Sequence, residues 1–210
     1  MAQKEPLSLS LLTEYFALFV NRRAYTIQAV TGKNDDTKCF YYRPKSKCEM
    51  SLETIRKHLM GEITIGLYAI NPATQRCKWI AIDADYENAL RDLLRLQWEL
   101  RNDGIDSALE RSRRGGHLWI LAQEPLLACE CRRYVQSLAS RVRAPIRGSR
   151  SQGKDSRASL EGIEIFPKQD RLAAGEFGNA IRGPLGVHRR DGKRYWFYGA
   201  GYEFEAQLDY

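Results

Sequence analysis

From residue 77 to residue 166 the chain reads strand, helix, strand, strand, helix, strand, and that order leaves few ways to bury its apolar faces. Cys77–Asp85 is a largely apolar run. Ala89, Leu93, Leu96 and Leu100 share one face of a helix that ends before Gly104. Ile105–Glu110 and His117–Leu121 read as strands. Pro125 is expected to open the next helix, whose inner face carries Leu127, Cys131, Val135, Leu138 and Val142. Gly162–Phe166 closes the series as a short strand.

A split βαβ unit of this kind predicts an RRM-like sheet with both helices on one face, so the expected class is α+β. Around it, residues 7–20 carry Leu12, Phe16 and Phe19 at helical spacing, and Tyr25–Val30 reads as a strand. Ser51 can cap a helix running to Met60, with Gly61 just past its end. Ile63–Ile70 is a buried strand that stops at Asn71-Pro72. After residue 166 a hairpin is expected, with Asp191-Gly192 as a type I′ turn.

The end of the Cys77–Asp85 strand carries the chemistry. Asp83 and Asp85 flank Ala84, and strand alternation sends both carboxylates to the same side. Adjacent carboxylates repel unless a cation sits between them, and hard divalent ions such as Mg²⁺ or Mn²⁺ suit oxygen-only ligands. A solvated strand end is the plainer alternative. Glu164 interrupts the apolar strand Gly-Ile-Glu-Ile-Phe on the face opposite Ile163 and Ile165, where a charge needs a partner or a cation. It would be the third carboxylate of a two-metal centre, or else the partner of a structural arginine.

Arg111-Ser-Arg-Arg-Gly-Gly-His117 joins two strands. Its glycines, hydroxyl, arginines and imidazole are residue types that gather around phosphate, although a tight hairpin with a satisfied core histidine uses the same letters. Arg182 lies in an apolar stretch, where it could clamp nucleotide phosphates or cover a strand edge. Residues 143–160 hold five Arg or Lys against one Asp, a solvated surface excursion or a nucleic-acid contact.

Net charge of +7 suits a polyanionic partner. No apolar run approaches the length of a membrane span, and the N-terminus does not read as a secretory signal. The five cysteines form no C-x-x-C pair, so a reduced cytoplasmic protein without structural zinc is expected.

Taken together, Asp83-Ala-Asp85 after an apolar strand, Ser112-x-x-Gly-Gly-His117 before another and Glu164 on a third resemble the three motifs of the archaeo-eukaryotic primase superfamily. Lys57–Tyr68, Leu109-Glu-Arg-Ser-Arg, His117-Leu-Trp-Ile, Glu164–Gln169 and Gly178–His188 resemble one branch, which holds the primase domains of TOTE conflict systems and the CRISPR-associated primase-polymerases.

The resemblance implies one primase-polymerase catalytic domain over 1–210, with an N-terminal α/β lobe in roughly 1–75 packed on an RRM-like lobe in 76–200. It implies template-dependent transfer from NTPs or dNTPs to a 3′-hydroxyl, with de novo primer synthesis open. Asp83, Asp85 and Glu164 would hold two Mg²⁺ or Mn²⁺ ions, and no zinc is expected. Ser112, Arg114, His117, Lys168, Arg182 and His188 would contact the nucleotide. Arg147, Arg150 and Lys154 in the basic loop, with Arg189 and Arg190 on the hairpin, are candidates for single-stranded or primed DNA. CRISPR adaptation proteins or a helicase are the protein partners that the resemblance admits. A two-metal nuclease and a catalytically weak RRM-like binding module are the competing readings. Against the nuclease stands the Ser112–His117 loop with Arg182. Against the binder stands a sheet face bearing carboxylates where aromatics are the usual readers of RNA.

Overall fold

The computed structural model describes residues 7–32, 38–44, 48–148 and 161–210. In chain order the elements are α1 (Leu9–Phe19), β1 (Tyr25–Thr31), β2 (Lys38–Tyr42), α2 (Leu52–Leu59), β3 (Ile65–Tyr68), β4 (Arg76–Ala84), α3 (Ala89–Asn102), β5 (Ala108–Arg111), β6 (Gly116–Leu127), α4 (Ala128–Val142), β7 (Glu164–Phe166), β8 (Ala180–Arg182) and α5 (Phe204–Leu208). The strands form two antiparallel four-stranded sheets, ordered β2-β1-β3-β8 and β5-β6-β4-β7. The protein is α+β. No helix among the described residues is long and apolar enough to cross a membrane.

The second sheet has the RRM-like order, and residue parity explains how it is packed. Ile80, Ile82 and Ala84 on β4 and Leu118 and Ile120 on β6 are buried, as are Leu93, Leu96 and Leu100 of α3 and Val135 and Leu138 of α4. The other parity points away from the helices. There Trp79 packs edge-on against Trp119, with ring centroids 5.0 Å apart, and Trp119 meets Phe19 of α1. The Trp79 indole N–H donates to the Phe19 carbonyl at 2.8 Å, satisfying the one polar group that this buried side chain carries. The end of α1 thus covers one half of that face, and the half bearing Asp83 stays open.

Local signals explain the helix starts. The Ser8 side chain accepts from Leu11 N–H, and Ser51 and Thr54 form a reciprocal capping box. Tyr15 and His58, on α1 and α2, both reach the Pro184 carbonyl beside β8. The buried residues of both sheets and the helices packed on them join one continuous apolar core.

Several features differ from the sequence reading. Pro125 lies within β6 and opens no helix; pairing of Leu126 and Leu127 with Cys77 and Arg76 carries the strand on, and the proline sits in the irregular stretch between paired positions. Residues 188–193 close through a wider turn, with His188 N–H donating to the Lys193 carbonyl. Asp191 does not take the positive φ that a type I′ turn demands, so Gly192 alone supplies it. Exposed β2 shows no alternating pattern and escaped detection. Ala180–Arg182, expected in the second lobe, pairs with β3 of the first sheet.

Candidate active site

One row of residues crosses the open face of the second sheet. Glu110 on β5 pairs in register with His117 on β6, His117 with Asp83 on β4, and Asp83 with Glu164 on β7. Directly opposed cross-strand residues keep their Cβ atoms about 4.5–5.5 Å apart, so four strands present three carboxylates and one imidazole side by side. Asp85 follows two residues past Asp83 on the same face.

The first sheet supplies the opposite wall. Thr26, Gln28, Tyr41, Gly66 and Arg182 share one face. A side chain at Gly66 would place a Cβ 2.2 Å from Thr26 Oγ1 and 3.2 Å from the Tyr41 ring, so only glycine lets these neighbours meet. Between the walls lies a cleft of about 530 Å³. It gathers Asp83, Asp85, Glu164, Ser112, Arg114, His117, Lys168, Arg182 and His188, all nine of the residues that the sequence suggested for metal and nucleotide. Arg190 also lines it.

The remaining candidates for nucleic-acid contact fall elsewhere. Arg147 lines a smaller hollow that it shares with Asp83, Asp85 and Glu164. Arg189 is turned inward, donating to Thr64 Oγ1 at 2.8 Å and to the Gly61 carbonyl at 2.7 Å. Arg150 and Lys154 lie outside the described residues.

Glu110 is the residue that sequence reasoning missed. It is fully buried, and its Oε1 accepts from His117 Nδ1 at 2.6 Å and from the Arg182 guanidinium at 2.9 Å. One carboxylate therefore ties a cleft residue of each sheet. The available signal was its position opposite His117 in the hairpin around Arg111–Gly116. Burial would push Glu110 up, but Arg182 and then His117 outweigh it and hold the carboxyl below its ordinary range. Burial likewise pulls His117 down, while Asp83 and Glu110 outweigh it and raise the imidazole to about 9. His117 is then a cation at neutral pH, with Nδ1 engaged by Glu110 and Nε2 facing Asp83.

The two glycines before His117 serve close packing. A Cβ on Gly115 would lie 1.8 Å from the Ala84 carbonyl oxygen, and one on Gly116 would lie 2.8 Å from the Glu110 carbonyl oxygen. The Gly115 N–H donates to Ser112 Oγ at 3.2 Å, as in the tight hairpin that the sequence also allowed.

A profile of the archaeo-eukaryotic primase domain of TOTE conflict systems matches residues 14–210. The chain belongs to this family. No protein of curated function matches the sequence. Among solved structures, the polymerase domain from Mycobacterium tuberculosis ligase D in complex with DNA is similar at 12% identity and a TM-score of 0.43, over 86% of this chain and 76% of that chain.

Whether divalent ions suit this family member can be judged from the oxygens present. Asp83 Oδ1 is buried and lies 3.4 Å from His117 Nε2, yet it has no hydrogen-bond partner. The His117 imidazolium balances its charge from a distance without a well-formed hydrogen bond, so the lone pairs of this oxygen stay open to a hard cation. The other carboxylates are held by cationic side chains. Asp85 accepts from Arg114 and Ser112, and Glu164 accepts from Arg147 and Lys168. Among the described residues no group of three or more His, Cys, Asp or Glu stands at metal-binding spacing. The donor chemistry fits Mg²⁺ or Mn²⁺; to serve as ligands, Asp85 and Glu164 would have to exchange their guanidinium and ammonium partners for a cation.

Proposed function

We propose that this chain is a primase-polymerase catalytic domain that transfers nucleotides from NTPs or dNTPs to a template-paired 3′-hydroxyl. The observation that carries the reading is the register row Glu110–His117–Asp83–Glu164 facing Arg182 across a nucleotide-sized cleft. The family match is consistent with it. In this reading residues 1–210 act as one catalytic unit, with single-stranded or primed DNA as template.

Asp83, Asp85 and Glu164 would hold the metal ions, which when bound supply positive charge to the attacking hydroxyl and the departing pyrophosphate. The chain's own residues do the rest. His117 stays protonated and, with Nδ1 fixed by Glu110, presents Nε2–H to a phosphate oxygen. Arg182, anchored on Glu110, adds charge from the opposite wall. Arg114 and Lys168 now neutralise Asp85 and Glu164; an incoming triphosphate offers them oxygens of the same charge type. Ser112 holds the Asp85 loop, and His188 and Arg190 close the far wall. In-line transfer needs this positioning and charge neutralisation, and no covalent protein intermediate.

The test is incorporation of labelled dNTPs and NTPs with Mn²⁺ or Mg²⁺ on primed templates and on unprimed single-stranded DNA. Metal-dependent products that vanish in an Asp83→Ala, Asp85→Ala variant with unchanged circular dichroism are the expected result. Products without a primer would add primase activity. No incorporation, with equal salt-dependent DNA binding by both forms, would replace the reading with that of a binding module.

A further inference from the structure

A second concave surface lies apart from the cleft, and the chemistry above leaves it unused. Ala180, which lines the cleft, pairs in register with Tyr68 and follows Phe177 by three residues. Beside these two aromatics opens a groove of about 960 Å³ lined by Phe16, Arg22, Arg23, Arg43, Pro72 and Phe177, among others.

Phe177 organises this groove. The Arg43 guanidinium carbon lies 3.9 Å from its ring centroid and that of Arg22 lies 4.7 Å away. The Tyr68 ring is 5.6 Å distant and also lies under Arg22. Arg23 stands over Phe16. Charge here is unbalanced. The acidic lining residue is Glu49, 3.7 Å from Arg23. Arg22 donates to the main-chain carbonyls of Glu176 and Phe177, and among the described residues no carboxylate pairs with Arg22 or Arg43. Two guanidinium groups that share one ring repel each other, and an anion between or beside them relieves that repulsion.

We propose that this groove binds single-stranded nucleic acid, receiving the template strand beyond the nucleotide site. Phosphates would lie against Arg22, Arg23 and Arg43, with a base stacked on the Arg43–Phe177 pair. Basic grooves with interleaved aromatic faces bind single strands in this way without reading sequence, and guanidinium planes serve as stacking surfaces for bases. Guanidinium groups interleaved with the rings of Phe16, Tyr68 and Phe177 favour a strand over an acidic peptide, because a strand brings bases for the rings as well as charge for the arginines. The assignment of the strand as template rests on the polymerase reading above.

The test measures affinity of the full chain for labelled primer–template duplexes with long, short or no 5′ single-stranded overhang, across a range of salt. Wild type is compared with Arg22→Gln/Arg43→Gln and with Arg43→Gln alone, the latter at an exposed position that carries little of the fold. The expected result is about a tenfold loss on the long overhang for the double variant, with a salt slope shallower by about 1.4, as two lost phosphate contacts on a single strand imply. Arg43→Gln should give roughly half that slope change, and the blunt duplex should bind all forms alike. Unchanged affinity and slope on the long overhang in variants of unchanged melting temperature would overturn the proposal. So would an equal loss on the blunt duplex, or displacement of the overhang by poly-glutamate as readily as by oligothymidylate. Overhang dependence lost in the variants of a protein that incorporates no nucleotide would sink the polymerase reading and leave the groove standing. Normal incorporation with overhang binding unaffected by the substitutions would sink the groove alone.

Discussion

Glu110 Oε1 and His117 Nδ1 lie 2.6 Å apart across the β5–β6 hairpin, both withdrawn from solvent. The same oxygen accepts from Arg182, so a buried anion is balanced by a cation from its own sheet and a cation from the other. Glu110 positions both groups, and Asp83 has His117 as its near neighbour on the other side.

Replacing Glu110 with Gln keeps the volume and removes the charge. Breaking a buried ion pair by deleting one partner costs about 3–5 kcal/mol, so the unfolding free energy of Glu110→Gln, read from urea titration, should fall by an amount of that order and the midpoint should fall with it. The His117 titration, followed by NMR, should move down from about 9 because one of its two carboxylate partners is gone. Adding Arg182→Met should recover part of the lost stability, since the uncompensated buried cation is then removed. A midpoint and a titration both equal to wild type would show that Glu110 positions neither group.

His58 predicts a separate pH response, away from the cleft. It is fully buried, Nε2 donates to the Pro184 carbonyl and Nδ1 accepts from Ile65 N–H, an arrangement only the neutral ring can make. Burial, partly offset by that carbonyl, pushes its pKa down to about 3. Above the unfolded value of about 6.5 both states are neutral. Below it the unfolded chain binds a proton that the folded chain refuses, so stability falls as pH drops from about 6.5 towards 3, at up to ~1.4 kcal/mol per pH unit. Urea midpoints at mildly acidic and neutral pH should therefore diverge less in His58→Gln than in wild type. Identical pH slopes in the two proteins would contradict this.

Gly115→Ala tests the hairpin. Its new Cβ would press on the Ala84 carbonyl at 1.8 Å, between the two aspartates. Overpacking of this kind costs about 1–3 kcal/mol, and here it would also displace Asp83 relative to Asp85. Incorporation should drop further than the stability loss explains, measured as kcat at a temperature where the variant remains folded. Full activity in the variant would mean that the β4 end tolerates movement.

Much of this arrangement is legible in the sequence. The helical spacing of Leu93, Leu96 and Leu100, the alternation through Asp83 and Asp85, and the lone acid in Ile163-Glu164-Ile165 are local patterns, and local patterns survive in sequence. Glu110 was not legible in the same way. Its meaning comes from Arg182, 72 residues further along, and no periodicity reports such a contact. Pro125 misled because a proline at a helix start and one in an irregular stretch of strand look alike until the partner strand is known. Strand β8 is only three residues long, and its place in the first sheet is set by pairing with Gly66 and its neighbours, a long-range choice. The cationic partners of Asp85 and Glu164 were present in the sequence as a surplus of arginine and lysine without an address.

The most direct test of the central claim is Mn²⁺ binding to the whole chain, read by electron paramagnetic resonance with and without a non-hydrolysable nucleoside triphosphate. If Asp83, Asp85 and Glu164 form a two-ion centre with the triphosphate, about two Mn²⁺ should bind per chain in its presence, and Asp83→Asn should lose at least one of them. Mn²⁺ that stays free in wild type with the triphosphate present, or that binds the Asp83→Asn variant equally well, would contradict the account.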